Sequence, residues 1–110
     1  MSRVNSKARR FFKKQRITRG NLILDVKKHE FYKDESLIEL TNKEFEIIEL
    51  LMRKNGEVVS REELFNHIWG NGVLESRTID MHIKSLRSKI DDDDGSIIKS
   101  VYGIGYKIEL

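Results

Sequence analysis

The sequence predicts an α+β fold: an antiparallel sheet first, then three helices, then a β-hairpin. Three observations predict it. Apolar residues between positions 21 and 41 come in short, strand-length bursts. Those between 41 and 90 recur at helical spacing in three separate runs. After position 96 they alternate again. A length of 110 residues suits one domain with one core.

Residues 1–16, MSRVNSKARRFFKKQR, have neither amphipathic order nor turn signals. They are expected to form a mobile basic linker or arm, with the domain proper at 17–110. Phe11 and Phe12 beside Lys13 and Lys14 leave a membrane-surface or nucleic-acid arm open next to a plain tether. Charge is distributed unevenly. Residues 1–20 hold eight of the 21 basic residues and none of the 18 acidic ones, so the remainder is net −5 although the whole chain is +3.

In NLILDVKKHEFYKDESLIELT (21–41), Leu22, Leu24 and Val26 alternate, Phe31 follows, and Ile38 and Leu40 share a face. KDES at 33–36 is a turn signal. Two or three antiparallel strands are expected here. The period then changes. Thr41 followed by Glu44 is a capping box. Phe45, Ile48 and Met52 form a stripe that Ile47, Leu50 and Leu51 widen past half the circumference, the mark of a helix packed on two sides. Asn55-Gly56 ends it. After a short extended Val58-Val59, Ser60 caps a second helix, Glu63 closes its box, Leu64, Phe65 and Ile68 form its apolar side, and Gly70 stops it. NGVLES (71–76) reads as a loop.

The third helix, RTIDMHIKSLRSKI (77–90), is entered through Ser76. Ile79, Ile83, Leu86 and Ile90 make one stripe. Arg77, Met81, Lys84 and Ser88 lie opposite, with Ser85 beside them. The four aspartates that follow oppose the helix macrodipole and discourage its continuation. They are expected in a solvated loop, since their spacing to Gly95 puts Ile90 and Val101 where calcium ligands would have to be. SIIKSVY and YKIEL alternate as strands around GIG, giving the hairpin. Gly103 and Gly105 allow φ values that a turn can require.

Three helices followed by a hairpin give the winged helix-turn-helix layout, in which the second helix of the motif lies in the DNA major groove. LTNKEFEIIELLMRKNGEVVSREELFNHIWG, SRTIDMHIKSLRSKI and IIKSVYGIGYKI, in that order, resemble the OmpR/PhoB-type effector domains of bacterial two-component response regulators over about residues 20–110. The resemblance implies sequence-specific binding of double-stranded DNA for transcription regulation in the cytoplasm. It implies a receiver domain in the full-length protein, for which the matched stretch leaves no room, and pairing on direct-repeat half-sites that the receiver drives. The isolated domain is then expected to be monomeric, and the basic leader to be an interdomain linker. The 70–76 loop is a candidate for contact with RNA polymerase. A winged-helix module that binds a protein instead of DNA is the alternative reading.

The resemblance also implies roles. Arg77 and Thr78, near the start of the third helix, suit phosphate oxygens. Met81, Lys84 and Ser85 fall where base edges would lie, since Lys can reach guanine, Ser several bases and Met a thymine methyl. Arg87, on the flank of the apolar stripe, suits a phosphate or, alternatively, a surface ion pair. Arg61, near a helix N-terminus, and Trp69 match positions facing the DNA backbone; for Trp69, core packing is the competing reading. Ser100, Tyr102 and Gly103 belong to the wing. Many relatives carry a basic residue where Tyr102 stands, so arginine readout of a narrow minor groove is not expected of this wing and Tyr102 is left as a weaker backbone or stacking contact. Some carry Arg where Ser85 stands, so relatives' target sequences do not transfer to this chain. Tyr106 reads as core.

Other chemistry is not indicated. The chain has no Cys, and HEFYK lacks the second His of a zinc-protease motif. His29, His67 and His82 have no metal-ligand spacing. GIGYKI lacks the third glycine of a dinucleotide loop. No apolar run approaches the ~20 residues of a membrane span. No catalytic residue, cofactor or metal is expected.

Overall fold

Strands open the fold in the computed structural model, which describes residues 15–70 and 76–110. β1 (Arg16–Arg19), β2 (Leu22–Asp25), β3 (Glu30–Lys33) and β4 (Ser36–Ile38) form an antiparallel sheet in that order. Its register aligns Ile17 with Leu24, Leu24 with Phe31 and Phe31 with Ile38, so one apolar row crosses the whole sheet toward the core. The β3–β4 turn consists of Asp34 and Glu35, both at positive φ (51° and 67°), the conformation that continues the right-handed twist of a two-residue hairpin.

The boundary placed before residue 17 is corrected here. Arg16 pairs with Asp25, and the Val26 N–H bonds to the Gln15 carbonyl at 2.7 Å. β1 is thus a fourth strand beyond the two or three expected. Of the linker or arm expected at 1–16, residues 1–14 lie outside the described residues, as do residues 71–75 of the loop expected at 71–76.

α1 (Asn42–Arg53) begins with the full capping box of Thr41 and Glu44. Phe45, Ile47, Ile48, Leu50, Leu51 and Met52 are all buried. Such a wide apolar arc is needed because α1 meets the other two helices as well as β1 and β7. α2 (Arg61–Trp69) is capped by Ser60, but the Glu63 carboxylate lies on Lys54 Nζ at 3.1 Å instead of closing a box. α3 (Ser76–Lys89) buries Ile79, Ile83 and Leu86, with Ile90 just beyond its end, as its period predicts. The tail is more than a hairpin. β6 (Ile98–Val101) and β7 (Gly105–Ile108) are joined by β5 (Val59–Ser60), in the order β5-β7-β6. A single core joins both sheets and all three helices. Among the described residues, no helix is long and apolar enough to cross a membrane.

The acidic run is not the uniformly solvated loop expected. Asp91 takes a left-handed conformation (φ 59°), with N–H bonds from Asp91 to the Ser88 carbonyl and from Asp92 to the Arg87 carbonyl, which is a Schellman ending. Asp92 is only 1% exposed and accepts from the N–H groups of Ile97 (2.9 Å) and Ile98 (2.8 Å) and from the Ser96 hydroxyl. Asp94 accepts from the Ser96 N–H. Lys33, reaching over from β3, supplies the cation that a helix C-terminus favours, donating to the Ile90 carbonyl at 2.6 Å.

Candidate nucleic-acid interface

With Ile79, Ile83 and Leu86 fixed inward, α3 must present Arg77, Met81, Lys84 and Ser88 to solvent, and all four are exposed. Met81 is 62% exposed, which for a methionine among charged neighbours leaves an apolar contact unmade. Thr78 is half-buried beneath this face, and its carbonyl accepts from His82 Nδ1 at 2.8 Å.

Ser85 departs from the expectation. Its hydroxyl donates to Glu44 Oε2 at 2.7 Å, which turns it from the exposed stripe toward α1. Glu44 is 3% exposed and also accepts from Lys89 Nζ at 2.7 Å and from the Thr41 N–H. One carboxylate therefore caps α1 and anchors α3. Burial pushes the Glu44 carboxyl up, but hydrogen bonds from Lys89, Ser85 and Thr41 outweigh it and hold the group below the ordinary glutamate value.

A carboxyl lowered in the folded state gives stability that is complete above its unfolded pKa, about 4.3, and is lost as pH falls through the folded value. Glu44→Gln has no such charge to lose. Its urea midpoint is expected below wild type at neutral pH, with the gap narrowing as the solution is taken below about pH 4. A gap independent of pH would show that the charge of Glu44 contributes nothing to folding.

The flank of α3 nearest the wing gathers the other basic groups. Arg61, the first residue of α2, donates through Nε to Asp80 Oδ1 at 2.8 Å, and the Tyr106 hydroxyl donates to the same oxygen at 2.6 Å. The Arg61 and Arg87 guanidiniums lie 5.3 and 5.6 Å from the centre of the Tyr106 ring. Tyr106 is buried, as read from the sequence. Arg87 donates to the Ile98 carbonyl and, at 2.9 Å, to the Ser100 hydroxyl, pinning β6 to α3. Arg61, Arg87 and Ser100 are thus brought together, already engaged with protein partners.

Trp69 sits apart from this group. It is half-buried, stacks on Phe65 at 5.1 Å, meets the edge of His82 and lies under Lys43 Nζ at 5.0 Å. At the wing tip, Tyr102 is fully exposed and Gly103 has φ 76° with open space around it. Ile104 beside them is also exposed. Val101 to Tyr106 carry no charge. Sequence reasoning missed Asp80 and Glu44 as organising groups. Only the capping box at Thr41 signalled that Glu44 had a fixed position.

A helix with a buried back and an exposed basic front, flanked by two guanidiniums and a three-stranded wing, defines a winged-helix DNA-binding domain. The chain belongs to the family described as "Transcriptional regulatory protein, C terminal", whose model matches residues 33–108. Over 97 residues it is 42% identical to the regulatory protein VanR of Enterococcus faecium, covering 84% of this chain and 42% of VanR. The response regulator DrrB of Thermotoga maritima, an OmpR/PhoB homologue, is 32% identical, with a TM-score of 0.82 over 99% of this chain and 52% of DrrB. The DNA-binding domain of the response regulator AdeR, solved with an intercistronic region, is 30% identical with a TM-score of 0.75, covering 84% of this chain and 97% of that domain. The chain thus spans about half the length of DrrB and less than half that of VanR.

Proposed function

We propose that this chain is the effector domain of a two-component response regulator and binds duplex DNA sequence-specifically, with α3 in the major groove and the β6–β7 wing against the adjacent backbone or minor groove. The observation that carries the reading is the exposed stripe of Arg77, Met81, Lys84 and Ser88 on a helix whose opposite face is core. That AdeR was solved with an intercistronic region supports it. Met81 and Lys84 are the base readers, through a thymine methyl and a guanine edge. Ser85 is removed from that set and holds α3 to Glu44. Arg77, Thr78, Arg61 and Arg87 meet phosphates, Ser100 orients Arg87, and Trp69 braces the end of α2. Tyr102 and Gly103 let an uncharged wing tip lie against sugar and backbone. In the full-length, cytoplasmic regulator a receiver domain drives pairing on direct-repeat half-sites, while the isolated domain stays monomeric. The 70–76 loop is left for RNA polymerase.

The test compares Lys84→Ala with Arg87→Ala on preferred and scrambled duplexes across a salt series. Lys84→Ala is expected to weaken the preferred site by roughly 1–3 kcal/mol and to relax preference at one or two positions. Arg87→Ala is expected to weaken all duplexes alike and to reduce the salt slope by about one. Equal weakening of both duplexes by Lys84→Ala would remove it from the base readers. A changed sequence preference in Arg87→Ala would mean that the other flank of α3 faces the groove.

A further inference from the structure

Asp80 is a half-exposed acid on a helix otherwise presented to DNA as basic and apolar. A carboxylate there repels phosphates, so its place on α3 runs against simple charge complementarity. Its contacts supply a reason. A single oxygen, Oδ1, accepts from Arg61 Nε of α2 and from the Tyr106 hydroxyl of β7. The three elements that border the proposed DNA surface therefore converge on one atom. Burial pushes the Asp80 carboxyl up, but the bonds from Tyr106 and Arg61 prevail and keep it below the ordinary aspartate value, so it is charged at neutral pH.

The consequence falls on Arg61. An arginine at the first position of a helix is a long side chain with many rotamers, and ordering it on a phosphate costs entropy. Here the Nε bond to Asp80 and the Tyr106 ring 5.3 Å away fix the plane of the guanidinium before DNA arrives. The Asp80 bond uses Nε, one of the five donors a guanidinium carries. The second guanidinium on the same ring, Arg87, is oriented by Ile98 and Ser100, so each of the pair has its own support.

The geometry points to Asp80 as a positioning residue for DNA binding: it presets Arg61 over Tyr106 so that Arg61 and Arg87 meet the phosphate backbone as one rigid pair. This rests on reading the exposed face of α3 as the DNA surface. Its distinguishing feature is the sign of one effect. If Asp80 were only a surface charge, removing it would tighten binding to a polyanion. If it positions Arg61, removing it weakens binding although the protein becomes more positive.

The experiment measures duplex affinity across a salt series for the wild-type chain, Asp80→Asn, Arg61→Ala and the double variant, with urea unfolding of each. Asp80→Asn is expected to bind roughly fivefold more weakly than wild type, with the salt slope reduced by up to about one. The double variant is expected to match Arg61→Ala. In the DNA-free protein, the Arg61 Nε–H resonance is expected to be protected from solvent exchange in wild type and exposed in Asp80→Asn, a readout that stays valid if the variant loses stability. Tighter or unchanged binding by Asp80→Asn would overturn the proposal, as would fully additive losses in the double variant. An inert Arg61→Ala in a wild-type domain that still prefers one duplex would overturn it while leaving the DNA reading intact. A wild-type chain with no salt-dependent duplex binding would remove both.

Discussion

Alanine at position 105 is expected to destabilise the domain by about 3 kcal/mol, at the upper end of overpacking effects. A Cβ added to Gly105 would stand 2.0 Å from the Val59 carbonyl oxygen and 2.8 Å from the Ser60 Cα. Both neighbours are backbone, so no side chain can swing aside. β5 must separate from β7, and with it the pairing of Val59 to Tyr106, in which both partners are buried. Gly103→Ala is the matched comparison. Its φ of 76° carries the left-handed strain, about 1–2 kcal/mol, but the space around it is open. Urea unfolding of the two variants separates the causes. A smaller loss at 105 than at 103 would mean that close strand approach does not govern this corner. The sequence-based reason for the two glycines, turn conformation, therefore applies to Gly103; at Gly105 the reason is proximity.

Asp92→Ala is expected to have a comparable effect, again about 3 kcal/mol, because it leaves the Ile97 and Ile98 N–H groups without their acceptor. Ile98 is buried, and its carbonyl is the one that Arg87 holds, so the start of β6 and its tie to α3 loosen together. Asp92→Asn retains one acceptor oxygen and should recover part of the loss. Asp93→Ala, at an exposed neighbour, should stay within about 0.5 kcal/mol of wild type. Chemical denaturation of the three proteins decides it. Similar losses at 92 and 93 would mean that the run acts through bulk charge rather than through one buried acceptor.

These two positions also show what the sequence could and could not reveal. The stripe of Ile79, Ile83, Leu86 and Ile90 was legible because burial on a helix repeats at a fixed angle, and the exposed side followed from it. The Thr41–Glu44 box was legible because capping is local. β1 was not, since Ile17 is the only apolar residue in its four and gives no alternation to detect. β5 is two residues long and exists only because β7 comes to it. A run of aspartates looks solvated from composition, and nothing local reveals that the second one turns inward. Ser85 lies near the edge of the exposed face on a helical wheel. A wheel gives the angle but not the neighbour, and the neighbour is Glu44, 41 residues away in sequence.

Among the described residues, the last strand in chain order is the middle strand of its sheet. β7 separates β5 from β6, Gly56 N–H bonds to the Ile108 carbonyl, and the Asn55 side chain bonds to both the N–H and the carbonyl of Leu110. During synthesis β5 therefore waits for a partner some 45 residues downstream, and the seam holding Arg61, Asp80, Tyr106 and Arg87 has no floor until Tyr106 has left the ribosome. A nascent chain halted before Gly105 holds α3 without β7 beside it, and β5 and β6 remain as unpaired edges open to other chains. The flank of α3 is therefore complete only once β7 has taken its place between β5 and β6.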